Sequence, residues 1–214
     1  MSGDPLTSLK TDILVVLRES SAADRLIDLG ESILDAELTD EVLRRIPVLG
    51  TISALNQIRL GIKDRLFVRK LARLLHQLHE VPTHERSRFA QQLADDDTFR
   101  DRVLSHLILL LDRLDEIEKA TLLGNALRAL VLSRVTFEQF TRLASAIDHG
   151  HIADLRSLMA LQADRGIETS WAFPLAALGL LEPQHGNAQG YFQVEVYQLS
   201  ELGRLFRDTC ARPG

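Results

Sequence analysis

The chain holds one cysteine, Cys210, in 214 residues. A lone thiol closes no internal disulfide and furnishes no cysteine-based zinc site, and it fits a reducing compartment. No histidine stands near it in sequence, so Cys210 reads as a structural residue rather than a nucleophile. Aromatic residues make up only 5%. Leucine is abundant instead, which favours helices over a β-sandwich. No apolar run reaches the ~18 residues of a spanning helix. The most apolar stretches, 13–17, 47–55 and 107–111, are short or interrupted by polar residues. A secretory leader is not expected either. Asp4, Asp12, Glu19, Asp24 and Asp28 spoil the basic start and apolar core that such a leader needs.

Catalytic signatures are missing too. There is no Gly-x-Ser-x-Gly elbow and no His-Glu-x-x-His zinc motif. The glycine-containing stretch 186–190 lacks the lysine and following helix of a phosphate loop. His76 and His79 are spaced for one helical face, with His84 nearby, but they read as solvent-facing histidines at a helix end. The Asp95–Asp97 triplet reads as a helix cap with dipole-complementing neighbours, Asp97 being the expected N-cap. No enzyme, cofactor or metal site is therefore expected.

What is present is an ordinary globular composition, 45% hydrophobic and 26% charged, long enough to bury a sizeable core. Its charge is segregated. Residues 44–88 carry ten Lys/Arg against three Asp/Glu, a net of +7, in a chain whose total is −5. Residues 1–43 mirror this with a net of −7. The acidic block either neutralises the basic one within the fold or covers it until a partner arrives.

Helical periodicity runs through most of the chain. Apolar positions mark helices over 6–18 and 22–35, with Gly30 as a weak point, and a short helix over 40–45. Thr51 is expected to cap a helix from about 52 to 78, with Gly61 as its weak point. Its apolar stripe Ile52, Leu55, Ile58, Ile62, Leu66 is interleaved with cations. Helices are expected over 85–93, 98–117, 122–132 and 137–148. The helix over 98–117 carries Leu109 and Leu110 beside its main stripe and is expected to be buried nearly all round. Thr136-Phe-Glu-Gln139 is a capping box.

The last sixty residues differ. Helices over 153–162 and 170–178 are followed by a β-hairpin over 180–198 and a final helix over 199–210. Helix, helix, hairpin, helix is a winged-helix outline. DNA binding rests largely on Lys/Arg contacts to phosphates, yet from Gly166 to Gly203 there is no Lys or Arg and there are four acids. Trp171, Phe173, Pro174 and Leu175, on the candidate recognition helix, look like core residues. Nucleic acid is disfavoured, and this unit reads as a protein-contact module.

The run 110–119 and the run 140–148 resemble a widespread group of uncharacterised bacterial helical proteins. Members carry an apolar Pro-Val-x-Gly turn before a basic helix, as Pro47-Val-Leu-Gly50 does here. The tail 178–181 and 197–206 is similar to the C-terminal end of the Abi-alpha, abortive-infection group. That resemblance implies a bacterial origin and a place in phage defence, and it carries no catalytic signature.

The expected fold is mainly α: an irregular helical bundle over 1–150, then a small winged-helix-like α+β unit over 151–214. The leading functional expectation is a non-enzymatic defence or regulatory protein. Its basic amphipathic helix engages an anionic membrane surface or a partner protein. Arg59, Lys63, Arg65, Arg69, Lys70 and Arg73 supply the charge, and Ile52, Leu55, Ile62 and Leu66 insert or pack. The alternatives are a cytosolic scaffold that self-associates, and a winged-helix nucleic-acid-binding regulator. A cytoplasmic location, or a peripheral one at the inner membrane, is expected; no small-molecule substrate is indicated.

Overall fold

A computed structural model describes residues 10, 11, 13, 14, 17, 62–162, 164–167, 170–184 and 196–211, with side chains from Leu66 onward in the first of the long stretches. The expected helices over 22–35 and 40–45, the Thr51 cap, Gly61, and the hairpin turn at 185–190 lie outside the described residues. The chain divides into two units, Met1–Arg134 and Val135–Gly214. The boundary falls earlier than the expected one after residue 150. The helix opened by the Thr136 capping box groups with the C-terminal elements, because it packs on the last helix of the chain.

Unit 1 contains α1 (Ile62–His76), α2 (Thr83–Asp95), α3 (Asp97–Arg113) and α4 (Ile117–Val131). Residues 10, 11, 13, 14 and 17 are also helical, and Lys10 Nζ lies 3.2 Å from Asp101. Local chemistry explains the ends. α1 stops at His76, where the next backbone bonds turn to the tighter i to i+3 type, Leu78 N–H donating to Leu75 at 2.9 Å. Pro82 then opens α2 from its N-cap position. In the aspartate triplet the cap is Asp96 rather than Asp97, its Oδ1 accepting from the Phe99 N–H at 2.9 Å. Asp97 lies in the first turn and pairs with Arg100 at 2.6 Å.

The fully buried helix is α4, not α3. Every α4 residue from Lys119 to Val131 except Thr121 is buried. Helix α3 is one-sided instead: Val103, Leu104, Leu107 and Leu111 face the core, while Leu109 is 58% exposed. The reason lies in side-chain size. Ala120, Gly124, Ala126 and Ala129 make α4 slim enough to be approached from several sides. A Cβ at Gly124 would come within 2.7 Å of the Leu74 carbonyl oxygen, so α1 and α4 pack at a distance that only glycine allows. Val68, Leu71, Leu74 and Leu75 bury their side chains along α1; each full burial contributes about 1.5–3 kcal/mol before entropy is counted.

Unit 2 contains α5 (Phe137–His149), α6 (Ile152–Met159), β1 (Arg165–Ile167), α7 (Ala172–Ala177), β2 (Leu181–Pro183), β3 (Tyr197–Leu199) and α8 (Glu201–Cys210). The capping box closes as expected. Thr136 Oγ1 accepts from the Gln139 N–H at 3.1 Å, and the Thr136 N–H donates to Gln139 Oε1 at 2.9 Å. The strands form an antiparallel sheet in the order β1-β3-β2, with Leu181 opposite Leu199 and Pro183 opposite Tyr197. Proline is tolerated because β2 is an edge. Tyr197 and Leu199 point inward and Gln198 does not. Gln198 instead donates to Glu182 at 2.8 Å across the pair. Ser200 caps α8, accepting from the Gly203 N–H at 2.9 Å and donating to the Gly179 carbonyl at 2.5 Å. A Cβ at Gly203 would overlap the Leu180 carbonyl oxygen, so α8 lies directly on the chain entering β2. The architecture is thus mainly helical, with a small α+β unit at its C-terminal end.

Candidate functional site

The six expected cations do not act as one group. Arg59, with Ile52 and Leu55, lies outside the described residues. Ile62, Lys63 and Arg65 belong to α1, and their side chains lie outside the described ones. Leu66, Arg69 and Arg73 are half-buried on α1. Lys70 is 3% exposed, and its Nζ donates to the Leu111 carbonyl near the end of α3 at 3.0 Å. This corrects its expected role: it cannot present its charge to an outside anion. Adjacent helical residues differ by ~100° around the axis. Lys70 therefore turns away from Arg69 and onto the side that carries the buried Leu74, one turn further on. Burial lowers the Lys70 pKa from the ordinary lysine value, and nearby Asp112 and Asp115 oppose that shift.

The cations left on the open side of α1 form a stripe. Arg69, Arg73 and His76 follow the i, i+4, i+7 spacing of one helical face and are all half-buried. Among the described residues, no carboxylate pairs with Arg69 or Arg73. Arg69 Nε and His76 Nδ1 are shielded and, among the described residues, have no hydrogen-bond partner. Sequence reasoning placed His76 with His79 instead. The helix ends at His76, so His79 lies in the following turn and is exposed. The i+7 spacing was the signal that joins His76 to the arginines.

Several other cations of unit 1 are paired with acids. Arg128 lies 2.8 Å from Glu80, and buried Lys119 lies 2.8 Å from Asp115. The bond from Lys119 holds the Asp115 carboxyl below the usual range. Arg86 is buried in α2 and has no such partner among the described residues.

Unit 2 offers a groove of about 330 Å³ lined by Arg142, Leu181, Glu182, Ser200, Glu201 and Leu202. One arginine faces two glutamates there, so the groove does not favour a phosphate. Phe173 is 68% exposed and Pro174 is exposed, which corrects their expected core placement; Leu175 and Ala172 hold the core side of α7 instead. Arg207 is held protonated chiefly by a short bond to Asp164. His149 places Nδ1 2.9 Å from the Ser145 carbonyl, so that nitrogen is the donor. Cys210 is buried. Among the described residues, no group of three or more His, Cys, Asp or Glu side chains is placed to hold a metal, and no helix is long and apolar enough to cross a membrane. No family model, curated protein or solved structure matches the chain.

Proposed function

We propose that this is a non-catalytic interaction protein that engages an anionic surface electrostatically through the basic segment around α1. The observation that carries the reading is the Arg69, Arg73, His76 stripe, open on one side of a helix whose other side is buried in unit 1. From Val68 onward the apolar residues of α1 are core, so the contact at this part of the helix is one of charge rather than insertion. An anionic membrane surface is the leading partner, and an acidic protein surface is the next. A cytoplasmic location with peripheral membrane contact accompanies this reading. The Abi-alpha resemblance adds phage defence as the setting.

Flotation of the full chain with phosphatidylcholine vesicles, with and without phosphatidylglycerol, tests it at low salt. Co-flotation with the anionic vesicles alone supports the membrane contact. Protein that stays at the bottom with both removes it.

A second reading is favoured by Phe173 and Pro174. They stand exposed on α7, where a winged-helix reading would put the base-contacting helix. The strand order β1-β3-β2 supports a winged-helix outline. Its exposed aromatic and lack of cations support protein contact over nucleic acid.

A further inference from the structure

We propose that the groove of unit 2 binds a small zwitterion, an α-amino acid with an aliphatic side chain. Arg142 takes its carboxylate, Glu201 with Glu182 takes its ammonium, and Leu181, Leu202 and Leu205 receive its hydrocarbon. Three elements of the unit build the cavity. Arg142 comes from α5, Leu181 and Glu182 from β2, and Glu201, Leu202 and Leu205 from α8.

The charges single this groove out. Arg142 and Glu201 line one cavity with opposite charge. Yet among the described residues neither side chain forms an ion pair or a hydrogen bond. Glu182 commits one oxygen, Oε1, which accepts from Gln198 at 2.8 Å; its Oε2 has no partner among the described residues. The other arginines of α8 behave differently: Arg204 donates to the Leu199 carbonyl at 2.7 Å, and Arg207 pairs with Asp164. The base and the acids of the groove thus share a cavity without neutralising each other. A ligand that carries both charges answers both, whereas a phosphate or a diamine answers one and is opposed by the other.

The wall and the size decide the rest. Leu181 and Leu202 are buried and Leu205 is half-buried, so hydrocarbon as well as charge lines the groove. Gly179 keeps it open. A Cβ there would meet nothing nearer than Leu202 Cδ2 at 3.9 Å, and its φ of 76° disfavours any side chain. A volume of about 330 Å³ stands at the lower end of the range for small-molecule sites, which suits an amino acid better than a nucleotide. Arg142, Glu182 and Glu201 are exposed, so the ligand enters from solvent. Solvent also screens these contacts, and a millimolar affinity is expected. The site uses no residue of α1 and stands independently of the surface reading.

Titration of the full chain with L-leucine, followed by methyl NMR at constant ionic strength, tests the assignment. Saturable shifts of the Leu181, Leu202 and Leu205 methyls are expected. Leucinamide lacks the carboxylate and isocaproate lacks the ammonium; each should bind at least ~10-fold more weakly, as for loss of a charge-assisted bond. Arg142→Gln and Glu201→Gln replace exposed side chains and should keep the fold. Each should weaken leucine binding by a similar factor, while Arg165→Gln, on β1, should leave it unchanged. Absent shifts in wild type, leucinamide or isocaproate binding as tightly as leucine, or wild-type affinity in the two groove variants would overturn the site.

Discussion

Among the described residues, unit 1 buries cations and unit 2 does not. Of those residues, unit 1 buries Lys70, Arg86, Lys119, Arg128 and Asn125, whereas the buried polar residue of unit 2 is Ser200. Ser200 is satisfied as cap to α8 and as donor to the Gly179 carbonyl. The four cations of unit 1 reach outward to helix ends or to exposed acids. Unit 2 is thus specified mainly by apolar packing and caps. Unit 1 carries positive charge that its core tolerates at a cost. The described part of the basic stretch is therefore not uniform: Lys70 and Arg86 are buried, while Arg69 and Arg73 are half-buried along one side of α1.

Breaking each core separately gives the largest effects. Phe206, fully buried in unit 2, should cost about 3–5 kcal/mol when changed to Ala. Hydrogen exchange should then accelerate across α5, α6 and α8 and remain slow in α4. Leu127→Ala, in α4, should give the converse pattern with a loss of about 2–5 kcal/mol. Equal loss of protection in both units from either change would end the division into two.

Lys70 sharpens the contrast. Lys70→Met removes a buried charge and one bond to a carbonyl, and should stabilise unit 1 by about 1 kcal/mol at neutral pH. The sign with pH follows from its lowered pKa. The unfolded chain holds this proton up to the ordinary value of 10.5, and the folded chain releases it earlier. Wild-type stability should therefore gain a rising contribution between the lowered pKa and 10.5, and the Met variant should lack it. Chemical denaturation across alkaline pH measures the difference.

The caps give smaller, unit-specific losses. Thr136→Ala should cost unit 2, and Asp96→Ala should cost unit 1, about 1 kcal/mol each in denaturant midpoints. Smallest is Asp115→Asn, which removes the ion pair with Lys119. Asp115 is exposed, so solvent screening holds the loss to about 0.5 kcal/mol or less. That contribution is present above the ordinary carboxylate range and fades as pH falls through the lowered pKa. An acid titration of wild type against the variant measures it.

Local signals carried the elements they govern. Thr136 and Gln139 announced α5, because a capping box is contained in four residues. The alternation in the hairpin set Tyr197 with the polar Gln193 and Glu195, yet Tyr197 is buried, and Leu199, expected to open the last helix, ends β3 instead. Strand β1 left no trace in sequence: three residues around Gly166 are too few for a period, and pairing to β3 alone makes them a strand. Periodicity also misjudged α3 and α4. Leu109 is apolar yet exposed, while α4 is buried because neighbours crowd its small residues, and neighbours are a tertiary fact. The candidate surface was half legible. Charge counting found the basic segment, but it could not separate Lys70 from Arg69, because which side of a helix is covered depends on what packs against it. Arg86 escaped for the same reason: its burial, with Nε and Nη1 lacking a hydrogen-bond partner among the described residues, is visible only in the fold.

The most direct measurement of the central claim compares wild type with the Arg69→Gln/Arg73→Gln double variant in binding to anionic vesicles across a salt series. Each cation near an anionic surface contributes about 1 kcal/mol, so losing two should weaken binding about thirtyfold, with unchanged circular dichroism. Wild-type binding should also fall steeply as salt rises. Binding that ignores both the substitutions and the salt would contradict the account.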